Sequence, residues 1–222
     1  MKSLLIFLAL FGSTLGNSLL ETQLLRQDGW EIVETFDDGY TLSQINIPGY
    51  DMDGVQVSVE VDLHPQVLFD VIHDVTKYEN FLTSAKSIDF ETLEQSDSHV
   101  IGYQHISVPY FSNRHYLYHF DLEVLHENNQ HITGWELIGV QDGYGDFIQQ
   151  MNAAYDDPVY LDEGIGRFII EPISESRVSL SYRLYMDIGG WIPSSLVEMS
   201  NRNGILNLVK DLVKEAEKRS KI

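Results

Sequence analysis

Residues 177–216 read RVSLSYRLYMDIGGWIPSSLVEMSNRNGILNLVKDLVKEA, and the change of pattern inside this stretch decides the fold. Arg177 to Asp187 reads as a strand, and Gly189-Gly190 breaks it. From Ile192-Pro193-Ser194 a helix follows. Its Leu196, Met199, Leu206, Val209, Leu212, Val213 and Ala216 form an apolar stripe opposite Asn201, Arg202, Lys210 and Asp211. A helix with one apolar stripe must lie on an apolar surface.

The sequence upstream supplies that surface. Val55, Val57, Val59 and Val61 alternate with Gln56, Ser58 and Glu60, the period of a half-buried strand. Trp30–Phe36 and Tyr40–Ile47 flank Asp37-Asp38-Gly39, a hairpin signal. Further strands are expected at Ala85–Glu94, His99–Val108, Arg114–Leu125, His131–Ile138 and Gly164–Pro172, joined by polar turns. Two helices precede them: a short amphipathic one carrying Leu19, Leu20, Leu24 and Leu25, and one opened by His64-Pro65 with Val67, Leu68, Val71 and Ile72 on one side. Residues 141–163 hold no sustained period and read as a long loop with one helical turn. Helices at the ends of an antiparallel meander define an α+β fold.

Composition sets the partners. The 222 residues contain no linker-like stretch and suffice for one domain. Acidic residues number 34 against 14 basic ones, a formal net charge of -20, which phosphate backbones and anionic head groups repel. No nucleic acid is expected, and membrane contact would be transient and apolar. Lys218, Arg219 and Lys221 read as cations offsetting a helix dipole. Lys2, the apolar run Leu4–Phe11 and the small residues Gly12 to Gly16 form a signal-peptide pattern with a cut near Asn17. Residues 1–16 are thus expected to direct export, to a periplasm or outside the cell, and 17–222 to form the mature domain. With no cysteine, disulfides cannot support the exported fold. A soluble monomer is expected.

The strand Arg177–Tyr182 running into Met186-Asp187-Ile188-Gly189-Gly190-Trp191-Ile192-Pro193 resembles the last strand and final-helix entry of START domains, the StAR-related lipid-transfer superfamily. The helix His64–Asp74 looks like the family's early helix, and Val108-Pro109-Tyr110-Phe111-Ser112-Asn113-Arg114 like its Pro-bearing turn into an arginine strand. His115 and Ile188 stand where the family usually has Asp and Pro. The resemblance implies a helix-grip fold: a curved antiparallel sheet wrapped around a long C-terminal helix. It also implies an internal tunnel for a sterol, phospholipid, fatty acid or polyketide; release from such a tunnel requires motion, and the final helix and the 141–163 loop are expected to open as its gate.

Strand parity and the helix stripe nominate Tyr103, His105, Arg114, Tyr116, Tyr118, Trp135, Phe168, Tyr182, Leu206, Val209 and Val213 as the cavity wall, where a one-residue register slip would turn each strand residue outward. Arg114 either anchors a polar head group or forms a structural ion pair with Asp74 or Glu60; the pair with Asp74 is the expectation. No cofactor, metal or catalytic residue is assigned. His115 and His119 would lie about 13 Å apart along a strand, too far for one metal. Asp51-x-Asp53-Gly54 and Asp156-Asp157 read as turns, and no dinucleotide fingerprint, P-loop or nucleophile elbow is present. Two rival readings remain: a cyclase-like or hydrolase-like enzyme using His105 with a nearby Tyr or Asp in the same cavity, and an interaction module with a filled core.

Overall fold

The computed structural model describes residues 19–108, 110–127, 129–140, 142–189 and 194–221, with the backbone alone at 127 and 194–203. The expected export segment and the Gly190–Pro193 helix entry lie outside the described residues, as do the side chains of Leu196, Met199, Asn201 and Arg202.

A helical segment over 19–24 (α1) precedes the hairpin β1 (Glu31–Thr35) and β2 (Thr41–Ile45), which turns at Gly39 with φ 87°. β3 (Gly54–Val61) leads to α2 (Pro65–Ile72). Pro65 sits in the first turn of α2, and His64 Nδ1 caps the helix by accepting from the Gln66 N–H at 3.2 Å. Two 3₁₀ turns, Val75–Asn80 and Thr83–Ser87, then lead into a meander of β4 (Ile88–Gln95), β5 (His99–Ile106), β6 (Arg114–Glu127) and β7 (Gln130–Ile138). The expected loop at 141–163 contains a ten-residue helix, α3 (Gly145–Ala154), and a short strand, β8 (Val159–Tyr160). β9 (Gly164–Ser174), β10 (Arg177–Met186) and the 26-residue α4 (Ser194–Arg219) complete the chain.

The ten strands form one sheet, nine of them in the order β1-β2-β3-β10-β9-β7-β6-β5-β4 and β8 set off this path against β6. All its pairings are antiparallel except that of β8, which runs parallel to β6 through Arg114↔Val159 and His115↔Tyr160. The sheet is covered on both faces. Concave residues such as Val57, Tyr116, Phe120, Phe168, Val178 and Leu180 form the main core with α2 and α4. On the convex face, Leu20 and Leu24 of α1 pack on Ile45, Ile165 and Tyr185, while Ile148 of α3 packs on Tyr103 and Leu117. This is the α+β helix-grip architecture.

The last turns of α4 are held by polar links as well as by the stripe. Asp211 accepts from the Thr83 N–H at 2.7 Å and its hydroxyl at 2.8 Å, Lys210 meets Asp38 at 2.6 Å, and Arg219 meets Asp74 at 3.1 Å. Arg219 thus does more than offset the helix dipole: it joins α4 to the end of α2.

Candidate functional site

α4, about 39 Å long at 1.5 Å per residue, lies against the concave face of the sheet. Between them lies a cavity of about 230 Å³. β4 to β6 contribute Phe90, Gln104, Ile106, Tyr116, Tyr118 and Phe120 to its wall. Trp135, Phe168, Tyr182, Leu184 and Met186 come from β7, β9 and β10, and Gly204, Ile205 and Leu208 from α4. Tyr78, Leu82 and Ser84 of the 3₁₀ turns close one side.

Glycines make the aromatic wall feasible. A Cβ on Gly102 would lie 2.3 Å from Tyr118 Oη, and one on Gly166 would lie 2.5 Å from Trp135 Nε1, so both rings lie against bare backbone. Phe168 and Tyr182 stack with centroids 4.2 Å apart. Polar atoms are paired sparingly: Trp135 Nε1 donates to Tyr182 Oη at 3.0 Å, and the Tyr116 hydroxyl donates to Gln104 Oε1 at 2.5 Å. Burial pushes the Tyr118 phenol up to about 12, partly offset by Gln104, and raises Tyr116 and Tyr182 as well, so the phenols stay protonated at neutral pH.

Of the residues nominated from sequence, Tyr116, Tyr118, Trp135, Phe168 and Tyr182 line this cavity. Leu206, Val209 and Val213 are buried in the same core but lie off the cavity wall, because Ile205 and Leu208 occupy the helix flank that faces it. Tyr103 and His105 point to the convex face. Tyr103 packs there against Ile148, and His105 bonds Asp89 at 3.3 Å and stacks on Tyr155 at 3.8 Å; the cavity receives their neighbours Gln104 and Ile106 instead. Sequence parity cannot separate these two sets, since β5 is buried on both faces.

Arg114 is 4% exposed, yet it does not pair with Asp74. Its Nε and Nη2 donate to the carbonyls of Ile188 at 3.2 Å and Gly189 at 3.0 Å, and its Nη1 donates to Ser112 O. The guanidinium thereby fastens the approach to α4. Asp74 is engaged by Lys77 and Arg219, and Glu60 by Arg177. The 141–163 segment divides likewise: α3 lies on the convex face, away from the cavity, while Val159 and Leu161 come beneath Gly189, within 3.2 Å and 3.6 Å of where its Cβ would stand. His119 stacks on His99 at 5.0 Å, whereas His115 is buried against Tyr103, and no group of three His, Cys, Asp or Glu able to hold a metal occurs among the described residues.

No protein-family model matches the sequence, and no curated protein does. Solved structures do. The STAR-related lipid transfer protein from Xanthomonas axonopodis superposes with TM-score 0.65 at 18% identity, covering 86% of this chain and 99% of that one. The human StAR-related lipid transfer protein 5 gives 0.67 at 13% identity, covering 94% and 97%. The Zhui aromatase/cyclase from a Streptomyces species gives 0.52 at 13% identity, covering 75% and 94%. At these identities the likeness concerns the fold, over nearly the whole length of the lipid-transfer structures. The described chain, a curved antiparallel sheet gripping a C-terminal helix, has the START fold.

Proposed function

We propose that the protein binds a single hydrophobic molecule in the cavity between the sheet and α4, and exchanges it with membranes or carriers when α4 moves. The observation that carries this reading is the cavity itself: an apolar space of about 230 Å³ left open inside an otherwise filled core. Protein interiors rarely leave voids larger than a water molecule. Each CH₂ buried there gains roughly 0.8 kcal/mol, so a modest ligand gains several kcal/mol before the costs of ordering. Likeness to lipid-transfer structures supports the same reading, as does the signal-like N-terminus for an exported carrier.

Binding is favoured over catalysis because the described wall holds no His, Asp, Glu, Lys or Arg, and its four tyrosines are phenols that burial pushes up and keeps protonated at neutral pH. His105, the base considered for a cyclase, lies on the other face of the sheet. The test is native mass spectrometry of gently purified protein, followed by extraction and identification of what co-purifies. A stoichiometric apolar ligand is the expected result; an empty protein that takes up no hydrophobic probe would overturn the reading. For the gate, cysteines at Ser84 and Leu208, on facing sides of the cavity, are joined with a short bifunctional reagent. The chain has no cysteine of its own to interfere. Exchange should stop when the bridge forms, and unchanged exchange would count against movement of α4.

A further inference from the structure

We propose that the cavity selects a compact, uncharged ring compound bearing a hydrogen-bond acceptor, and rejects ionised and two-chain lipids. This rests on the reading of the cavity as a ligand site and narrows what that site accepts.

Charge is the first ground. Every described wall residue is uncharged, so a carboxylate or phosphate drawn inside would lose its hydration and gain no counter-ion from the described wall. The sequence offers Arg114, two residues before Tyr116 on β6, as the anchor of an anionic head. Its Nε, Nη1 and Nη2 are committed instead to the carbonyls of Ile188, Ser112 and Gly189, outside the wall.

Size and shape are the second. About 230 Å³ falls below the roughly 300–1,000 Å³ typical of pockets for drug-sized ligands. A lipid with two acyl chains is several times larger. The wall is also built from flat faces: Phe168 stacked on Tyr182, and Trp135 laid against Gly166. Such surfaces favour a planar ring in offset contact.

Hydrogen-bond accounting is the third. A phenol has one proton to give. Tyr116 spends its proton on Gln104 Oε1. Tyr182 accepts the Trp135 indole N–H, which leaves its own proton for an acceptor in the cavity. A ketone or ring oxygen satisfies it; a purely hydrocarbon ligand leaves it unspent, at a cost.

The test uses prodan, an uncharged dimethylaminonaphthyl ketone whose emission reports burial and hydrogen bonding at the ketone, in competition with oleate and with a fluorescent phosphatidylcholine at neutral pH. Prodan should bind one per chain, about tenfold or more tighter than either competitor. Tyr182→Phe should weaken prodan by about fivefold to tenfold, the effect of one lost hydrogen bond, while leaving the ketone-free dimethylaminonaphthalene unchanged. Equal weakening of both probes would mean that Tyr182 only supports Trp135, and would remove the acceptor from the specificity. Oleate or phosphatidylcholine binding as tightly as prodan would overturn the selectivity while leaving the hydrophobic-ligand reading intact, and oleate binding lost in Arg114→Met would place a charged head on Arg114. Failure of all three probes to bind would overturn the ligand site itself.

Discussion

The two faces of β5 and β6 carry similar side chains and do opposite things with them. On the convex face Tyr103 meets Phe147 at 5.2 Å, His105 meets Tyr155 at 3.8 Å and His115 meets Tyr160 at 5.2 Å, so each of these three rings has a partner from the segment that crosses it. On the concave face Tyr116, Tyr118 and Phe120 look across open space toward Ile205 and Leu208. The difference lies in the covering element. α3 is short, follows β7 directly in the chain and settles onto its patch of sheet. α4 is one long helix laid across the concave face, and its described polar anchors sit at Lys210, Asp211 and Arg219. A closed face and an open one thus arise from the same pair of strands, and the cavity lies on the open one.

The sharpest way to break this contrast is to truncate one residue on each face. Ile148→Ala removes the anchor of α3 from a filled cluster and should cost about 3 kcal/mol, because transfer and cavity terms both apply. Leu208→Ala, whose side chain already borders open space, should cost only about 1 kcal/mol. Denaturant unfolding of the two variants measures the difference, and equal losses would mean that the concave face is packed as tightly as the convex one.

Protonation discriminates the faces next. His105 and His115 face each other in register, both buried, each with Nδ1 bonded and Nε2 without a partner. Burial first, and then His105 opposite, hold His115 down at about 4 against its usual 6.5, with Asp157 pulling the other way. The unfolded chain therefore binds this proton more readily than the folded one. The stabilising difference is fully present above about pH 6.5, declines as the pH falls through the window to about 4, and amounts to on the order of 3 kcal/mol. Urea midpoints measured across this range should fall with acidity in the parent protein and fall less in His115→Leu. Parallel slopes would show that His115 does not govern the acid sensitivity of this face. The concave phenols, raised by burial, do not titrate in the same window and should contribute nothing to it.

The smallest effect concerns the anchoring of the rod. Asp211→Ala deletes both bonds to Thr83, at an expected cost of about 1 kcal/mol for a partly exposed pair of hydrogen bonds. Its larger signature should be kinetic, with faster release of bound probe measured by stopped flow. A stability loss with no change in release rate would separate the Thr83 contact from the movement of α4.

How much of this was legible before folding follows from where the periodicity had one meaning. The stripe on α4, the valines of β3 and the order of elements determine the α+β class, since an apolar stripe and an antiparallel sheet each need the other to leave water, while the helix-grip arrangement is what the resemblance of the final strand and helix entry to START domains implies. Parity also places Tyr116, Tyr118, Trp135, Phe168 and Tyr182 together, because their strands present one consistent set of large aromatics. β5 defeats the same reasoning. With α3 behind it and the cavity before it, both of its faces are buried, alternation carries no polar phase, and Tyr103 and His105 cannot be told from Gln104 and Ile106. α3 was hidden for a related reason: Phe147, Ile148 and Met151 mark its buried side, but Gly143 and Gly145 beside them read as loop. Rotation of α4 about its axis, which puts Ile205 and Leu208 rather than Val209 and Val213 at the cavity, depends on how the rod meets α2 and β3. The sequence by itself determined which surfaces must be buried. Only the tertiary structure decided which of them meet each other and which face empty space, because that depends on how the curved sheet and the long helix fit together, a property of the assembled molecule that no local pattern encodes.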